Sequence, residues 1–201
     1  MLSTPLRSRL STFVRPFSSS FKAADLTIEK TKAPKAKPGP DHSYVFGQLT
    51  TDHMLEIDWV QSNGWGAPRI VPYHNFEIDP SNSTLHYALE CFEGMKGYPH
   101  KDGKSVNLFR PIDNMRRMQN SFHKLAFPEY DENELLECIK KLVDVDRDWM
   151  PAKDNKHSLY LRPTGISMEN TLGVKAPTNV KLFTIISVSY THLTLPTILL
   201  V

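Results

Sequence analysis

The 201-residue chain has two cysteines, Cys91 and Cys138, too few for a disulfide scaffold or a cysteine-based zinc cluster. A reducing compartment suits them. No run approaches the roughly 20 apolar residues of a bilayer-spanning helix, which excludes a helical integral membrane protein. There is no G-x-G-x-x-G turn, no Walker loop and no H-E-x-x-H pair, and the eight histidines lack ligand spacing, so no metal site is expected. GISME (165–169) lacks the second glycine of a nucleophile elbow. Acid is absent before Asp25.

What is present suffices for a sizeable core. Hydrophobic residues make up 40% and charged residues 23%, and the length fits one or two domains. The net charge of +2 conceals a division. Residues 1–40 hold eight basic and two acidic side chains, and the other 161 hold 16 and 20. The head is therefore +6 and the body −4. An acidic body argues against a nucleic-acid platform, which needs clustered positive charge.

The first twenty residues contain three arginines and six serines, and Leu6, Leu10, Phe13 and Phe17 fall on one helical face. An Arg-rich, Ser-rich, acid-poor amphipathic start is the composition of a mitochondrial transit peptide, expected over 1–24 with cleavage near Arg15–Ser20. A disordered basic tail is the plainer reading. Lys, Ala and Pro then alternate through KTKAPKAKPGP (30–40), so 25–43 reads as a linker or loosely held arm.

From Tyr44 onward the texture is that of a folded domain. Alternation predicts a strand over 53–60, the preceding KDGK turn one over 105–110, and β-branched and aromatic content two more over 158–166 and 180–188. Helical spacing predicts helices over 83–94, 111–127 and 131–150, the last capped by Asp131 with Glu134 three residues on. Strands and helices mix without strict alternation, which gives an α+β class.

Polar residues within apolar elements mark where chemistry could sit. Arg116 and Arg117 lie between Met115 and Met118, where a guanidinium at the core edge would suit a phosphate. Two solvated surface charges are the simpler alternative. Tyr160 and Arg162 share one face of a strand and could grip a carboxylate together, or simply form a wet sheet face. Tyr87, Phe92 and Phe46 are aromatics of a kind that usually fill cores.

Six segments, FGQLTTDHMLEIDW (46–59), LHYALECFEGMKGY (85–98), LFRPIDNMRRM (108–118), LLECIKKLVDVDRDWMP (135–151), SLYLRPTGI (158–166) and TLGVKAP (171–177), together resemble the mitochondrial branched-chain amino-acid aminotransferases. These are pyridoxal-phosphate enzymes of fold type IV. The resemblance implies that 44–188 is the small N-terminal domain of that fold, with the large domain absent. It implies reversible amino transfer between leucine, isoleucine or valine and 2-oxoglutarate, with pyridoxal 5′-phosphate as electron sink.

By resemblance, Arg117 holds the cofactor phosphate. Phe46, Phe92 and Tyr160 wall an apolar side-chain pocket, in which each buried CH₂ contributes about 0.8 kcal/mol. Arg162 takes part in recognising the substrate carboxylate. Tyr87, Leu172 and Val174 reach a neighbouring subunit's pocket, which implies a homodimer. Location in the mitochondrial matrix follows from the transit-like head.

The family's Schiff-base lysine lies beyond the equivalent of Val188, so no catalytic lysine is expected in this chain. Lys96 sits in a motif, but its family position is structural. Residues 189–201 do not match, and read as a truncation or chimeric junction. The chain as written is expected to be inactive. The alternatives are a D-amino-acid aminotransferase or an aminodeoxychorismate lyase, or a non-catalytic product that binds full-length subunits.

Overall fold

The computed structural model describes residues 20–39, 42, 45–102, 105–151 and 157–190. Residues 1–19 of the expected 1–24 presequence and 191–201 of the unmatched 189–201 tail lie outside the described residues.

In chain order the strands are β1 (Thr27–Ile28), β2 (Thr50–Val60), β3 (Gly64–Trp65), β4 (Arg69–Pro72), β5 (Glu90–Phe92), β6 (Met95–Pro99), β7 (Val106–Leu108), β8 (His157–Ser167) and β9 (Asn179–Tyr190). They form one sheet in the spatial order β1-β4-β2-β9-β8-β6-β7, with β3 paired to β2 and β5 to β8. The pairs are antiparallel except β1 with β4. The helices are α1 (Ser83–Tyr87), α2 (Pro111–Lys124) and α3 (Glu132–Val145), and the arrangement is of the α+β class.

Successive strand residues point to opposite faces, and that alternation decides where the core lies. Leu55 and Ile57 of β2, Leu159 and Leu161 of β8, and Leu182 and Ile186 of β9 are fully buried. The same core cluster takes in Met115, Met118 and Phe122 of α2 and Leu135, Ile139 and Leu142 of α3. The helical spacing of those residues puts them on one stripe of each helix. Tyr160, Arg162, Phe183 and Ile185 belong to the other face and are half-buried.

Local chemistry explains the helix ends. Pro111 opens α2, where its missing N–H costs nothing. Asp131 caps α3 by accepting from the Asn133 N–H at 2.9 Å. Glu134, the expected reciprocal partner, instead accepts from the Ala23 N–H at 2.7 Å and from Lys22 Nζ at 3.2 Å. The last part of the predicted 131–150 helix is a separate 3₁₀ turn, Arg147–Trp149.

The predicted helix over 83–94 is a correction. α1 ends after about one turn, with Ala88 in the left-handed conformation at φ 51°, and Glu90–Phe92 becomes strand β5. Leu85, Leu89 and Phe92 have suitable helical spacing, but pairing of Cys91 with Gly165 and of Phe92 with Thr164 on β8 outweighs local propensity. The helix is capped by Asn82, whose side chain accepts from the Thr84 N–H at 2.9 Å.

Residues 25–39, which composition reads as a linker, lie along the sheet. Backbone N–H groups at Thr27 and Glu29 donate to the Pro68 and Ile70 carbonyls at 3.0 and 2.8 Å. Thr31 N–H donates to His53 Nε2, and Lys35 N–H donates to Asp52 Oδ1, both at 2.9 Å. His53 is itself buried against Asp146, with Nδ1 2.6 Å from Oδ1. Backbone bonding to buried acceptors thus holds a segment that has little apolar surface of its own.

Just before it, Phe21 is 4% exposed and packs edge-on to Trp65 at 5.4 Å and stacked with Tyr130 at 6.0 Å. Truncating it leaves a cavity between those rings. Phe21→Ala is expected to lower unfolding stability by about 3 kcal/mol in urea titration. A change below about 1 kcal/mol would show that the segment is not part of the folded unit.

Candidate functional site

Strand β8 brings Tyr160 and Arg162 onto the sheet face away from the helices. Arg162 Nη2 donates to the Tyr160 hydroxyl at 3.0 Å. Its guanidinium lies 4.5 Å from the Phe92 ring centroid and 5.1 Å from that of Tyr160. Phe46 meets Tyr160 edge-on at 5.0 Å. Phe92 reaches this place because β5 pairs with β8. Phe46 and Phe92 are 55% and 56% exposed, an unusual state for phenylalanine and one that leaves an open aromatic wall. Arg162 Nε is buried with no hydrogen-bond acceptor among the described residues.

Arg117 stands on α2, and its side chain is 63% exposed. Its Nε and Nη2 donate to the two carboxylate oxygens of Glu93 at 2.9 and 2.6 Å. Glu93 is in the turn between β5 and β6, and its own N–H donates to the Pro163 carbonyl at 2.9 Å. Asn114, one helical turn before Arg117, donates from Nδ2 to Glu93 Oε2 at 3.1 Å and to the Gly94 carbonyl at 3.0 Å. Burial works against the Glu93 charge, but the Arg117 and Asn114 bonds outweigh it and hold the carboxyl below its ordinary range. Arg116, by contrast, makes only long contacts to Asp113 at 3.5 Å and Glu132 at 3.8 Å.

Gly94 joins the two halves. A Cβ at that position would overlap the Tyr160 hydroxyl and lie 3.0 Å from ring atoms Cε2 and Cζ. The turn can approach Tyr160 this closely only as glycine.

Tyr87, Leu172 and Val174 form a second group. The Tyr87 hydroxyl donates to the Leu172 carbonyl. Leu172 and Val174 are 61% and 79% exposed on a loop anchored at Glu169. That carboxylate accepts from Lys175 Nζ and from the Thr178 N–H, both at 2.8 Å. The Lys175 and Thr178 bonds hold it down at about 2.

The sequence-predicted residues Phe46, Phe92, Tyr160 and Arg162 therefore converge, and Arg117 is tied to them through Glu93 and Gly94. Sequence reasoning assigns no role to Glu93, Gly94 or Asn114. Their signal is an acid and a glycine interrupting the apolar CF…M stretch. A buried carboxylate also escapes it, that of Glu56, which lies 3.2 Å from Arg69, 2.8 Å from His74 and 3.4 Å from Lys181. Burial pushes the Cys91 thiol up to about 11, which makes it a poor nucleophile. Among the described residues no acid, histidine and cysteine cluster suits a metal, and no helix is long and apolar enough to cross a membrane.

No protein-family model matches the chain. It is 47% identical over 182 residues to the mitochondrial branched-chain-amino-acid aminotransferase of Rattus norvegicus, an alignment covering 90% of this chain and 46% of that protein. The chain belongs to the branched-chain-amino-acid aminotransferase family.

The cytosolic aminotransferase of the same organism is 46% identical over 168 residues, covering 84% of this chain and 40% of that one. The chain thus spans less than half the length of these curated aminotransferases. A solved branched-chain aminotransferase from Thermobaculum terrenum, in its PLP form, shares the fold at TM-score 0.53 and 18% identity, over 70% of this chain and 41% of that one.

Proposed function

We propose that this chain supplies the cofactor-phosphate arginine and the side-chain cage of a transaminase acting on leucine, isoleucine and valine with 2-oxoglutarate. The observation that carries this reading is the convergence of Phe46, Phe92, Tyr160 and Arg162 on one open sheet face. In this reading the chain is the small-domain part of the fold type IV architecture. The mitochondrial and cytosolic relatives are almost equally similar, so a matrix location is supported chiefly by the transit-like head.

The residues fit pyridoxal 5′-phosphate. Arg117 is an exposed guanidinium whose bonds to Glu93 use only Nε and Nη2, and Arg162 has a buried Nε in want of an acceptor. When bound, that cofactor supplies the electron sink for the carbanion at the substrate α-carbon.

Arg117 then neutralises and orients the phosphate. Arg162, braced by Tyr160, receives the substrate carboxylate. Phe46, Phe92 and the Tyr160 ring exclude water around a branched aliphatic side chain and favour it by burial. Tyr87, bonded to the Leu172 carbonyl, and Leu172 and Val174 are exposed, which suits a contribution to a second subunit in a homodimer.

A D-amino-acid aminotransferase is the nearest competitor, since the fold alone does not fix stereochemistry. The test is substrate preference in a longer polypeptide that carries this sequence together with the remaining family length. Transfer from L-leucine to 2-oxoglutarate with little from D-alanine is the expected result. The reverse preference would overturn the assignment.

A further inference from the structure

We infer that Glu93 is a positioning residue for the cofactor phosphate, acting through Arg117. This rests on the phosphate reading of Arg117 and deepens it. Arg117 is a long, exposed side chain on a helix, and such a guanidinium samples many rotamers unless something holds it. Glu93 supplies the hold through two parallel bonds, Nε to Oε1 at 2.9 Å and Nη2 to Oε2 at 2.6 Å.

The brace is itself rigid. The Glu93 side chain is 12% exposed, Asn114 donates to one of its oxygens at 3.1 Å, and its N–H is tied to the Pro163 carbonyl of β8. The same turn presses Gly94 against Tyr160. The bidentate pair occupies the Nε–Nη2 edge, which leaves Nη1 to donate to an anion. Glu93 thus links the helix that carries the arginine to the strand that carries the cage.

Two physical effects oppose one another, and their balance makes the inference testable. Removing a carboxylate next to a phosphate site relieves repulsion and should tighten phosphate binding. Removing the brace of an exposed arginine frees its rotamers and should loosen it. The geometry points to the second effect as the larger, because the Glu93 charge is already matched by Arg117 at contact distance. Partners that orient a primary ligand are commonly worth about 10-fold or more in affinity, as in metal sites.

The test uses ligand-observed NMR on the 201-residue chain with pyridoxine 5′-phosphate and with pyridoxine. Neither carries an aldehyde, so surface amines do not react, and the ratio of affinities isolates the phosphate. Wild type is expected to prefer the phosphate ester, and Arg117→Ala to lose that preference. Glu93→Ala should reduce it about 10-fold, and Glu93→Gln, which keeps one acceptor oxygen, by less. A purely structural role would change both ligands alike and leave the ratio unmoved.

An unchanged or increased preference in Glu93→Ala overturns the inference, and the same result in Glu93→Gln does so should the alanine variant fail to fold. Loss at Arg117 without loss at Glu93 overturns this inference alone. No preference in wild type, or none lost in Arg117→Ala, overturns the phosphate reading of Arg117 and this inference with it.

Discussion

Replacing Gly165 with alanine is expected to destabilise the fold by about 3 kcal/mol, the upper part of the range for overpacking a core. Gly165 lies mid-strand in β8, between Cys91 of β5 and Leu182 of β9, on the face that meets the helices. The Phe122 ring rests directly on it, and a Cβ there would overlap Cε2 and Cζ of that ring. Phe122 has nowhere to retreat. It is fully buried, edge-on to Phe127 at 5.2 Å and to Tyr130 at 5.1 Å. The backbone is equally constrained, because β8 pairs on both sides.

The double variant Gly165→Ala/Phe122→Leu separates this cause from any other. Leucine is smaller than phenylalanine at the point of overlap, so the double variant should recover part of the loss despite its own cost. Urea midpoints and slopes for the four proteins measure the coupling. Simple additivity would show that the ring and the glycine do not compete for space.

Much of this fold is legible in the sequence because the period of apolar residues is strong where burial is one-sided. Leu159, Tyr160, Leu161 and Arg162 alternate cleanly, so the strand, its two faces and the Tyr–Arg pair can all be read from the residues alone. The stripe Met115, Met118, Phe122 does the same for α2. The stretch 83–94 cannot be read this way. Its leucines, alanine and phenylalanine sit at helical spacing, and only long-range pairing with β8 makes its second half a strand.

The docked path of residues 25–39 is hidden for a related reason. Its bonds are made by backbone N–H groups to buried acceptors such as His53 and Asp52, and backbone groups leave no trace in composition. At the site, Tyr160, Arg162 and Arg117 stand out as polar residues in apolar elements. Glu93 does not, since its importance comes from a salt bridge across 24 positions. The roles of Phe46, Phe92, Leu172 and Val174 are suggested by family likeness rather than by periodicity.

The largest effect expected of the chain itself is a complete lack of turnover. Transamination needs a lysine amine beside the cage, and Lys181 on this sheet face is ill suited to it. Lys181 is 12% exposed and bonded to Asp58 at 2.6 Å and Glu56 at 3.4 Å. Lys96, the register partner of Tyr160 on β6, is the one best placed to contradict this account.

The decisive measurement is glutamate formation from 2-oxoglutarate by the purified 201-residue chain, supplied with L-leucine and pyridoxal 5′-phosphate, followed by borohydride fixation and peptide mapping. The account predicts no glutamate above the cofactor-only background and no single lysine selectively labelled. Leucine turnover by this polypeptide unaided, lost on Lys96→Ala and accompanied by selective labelling of Lys96, would contradict it.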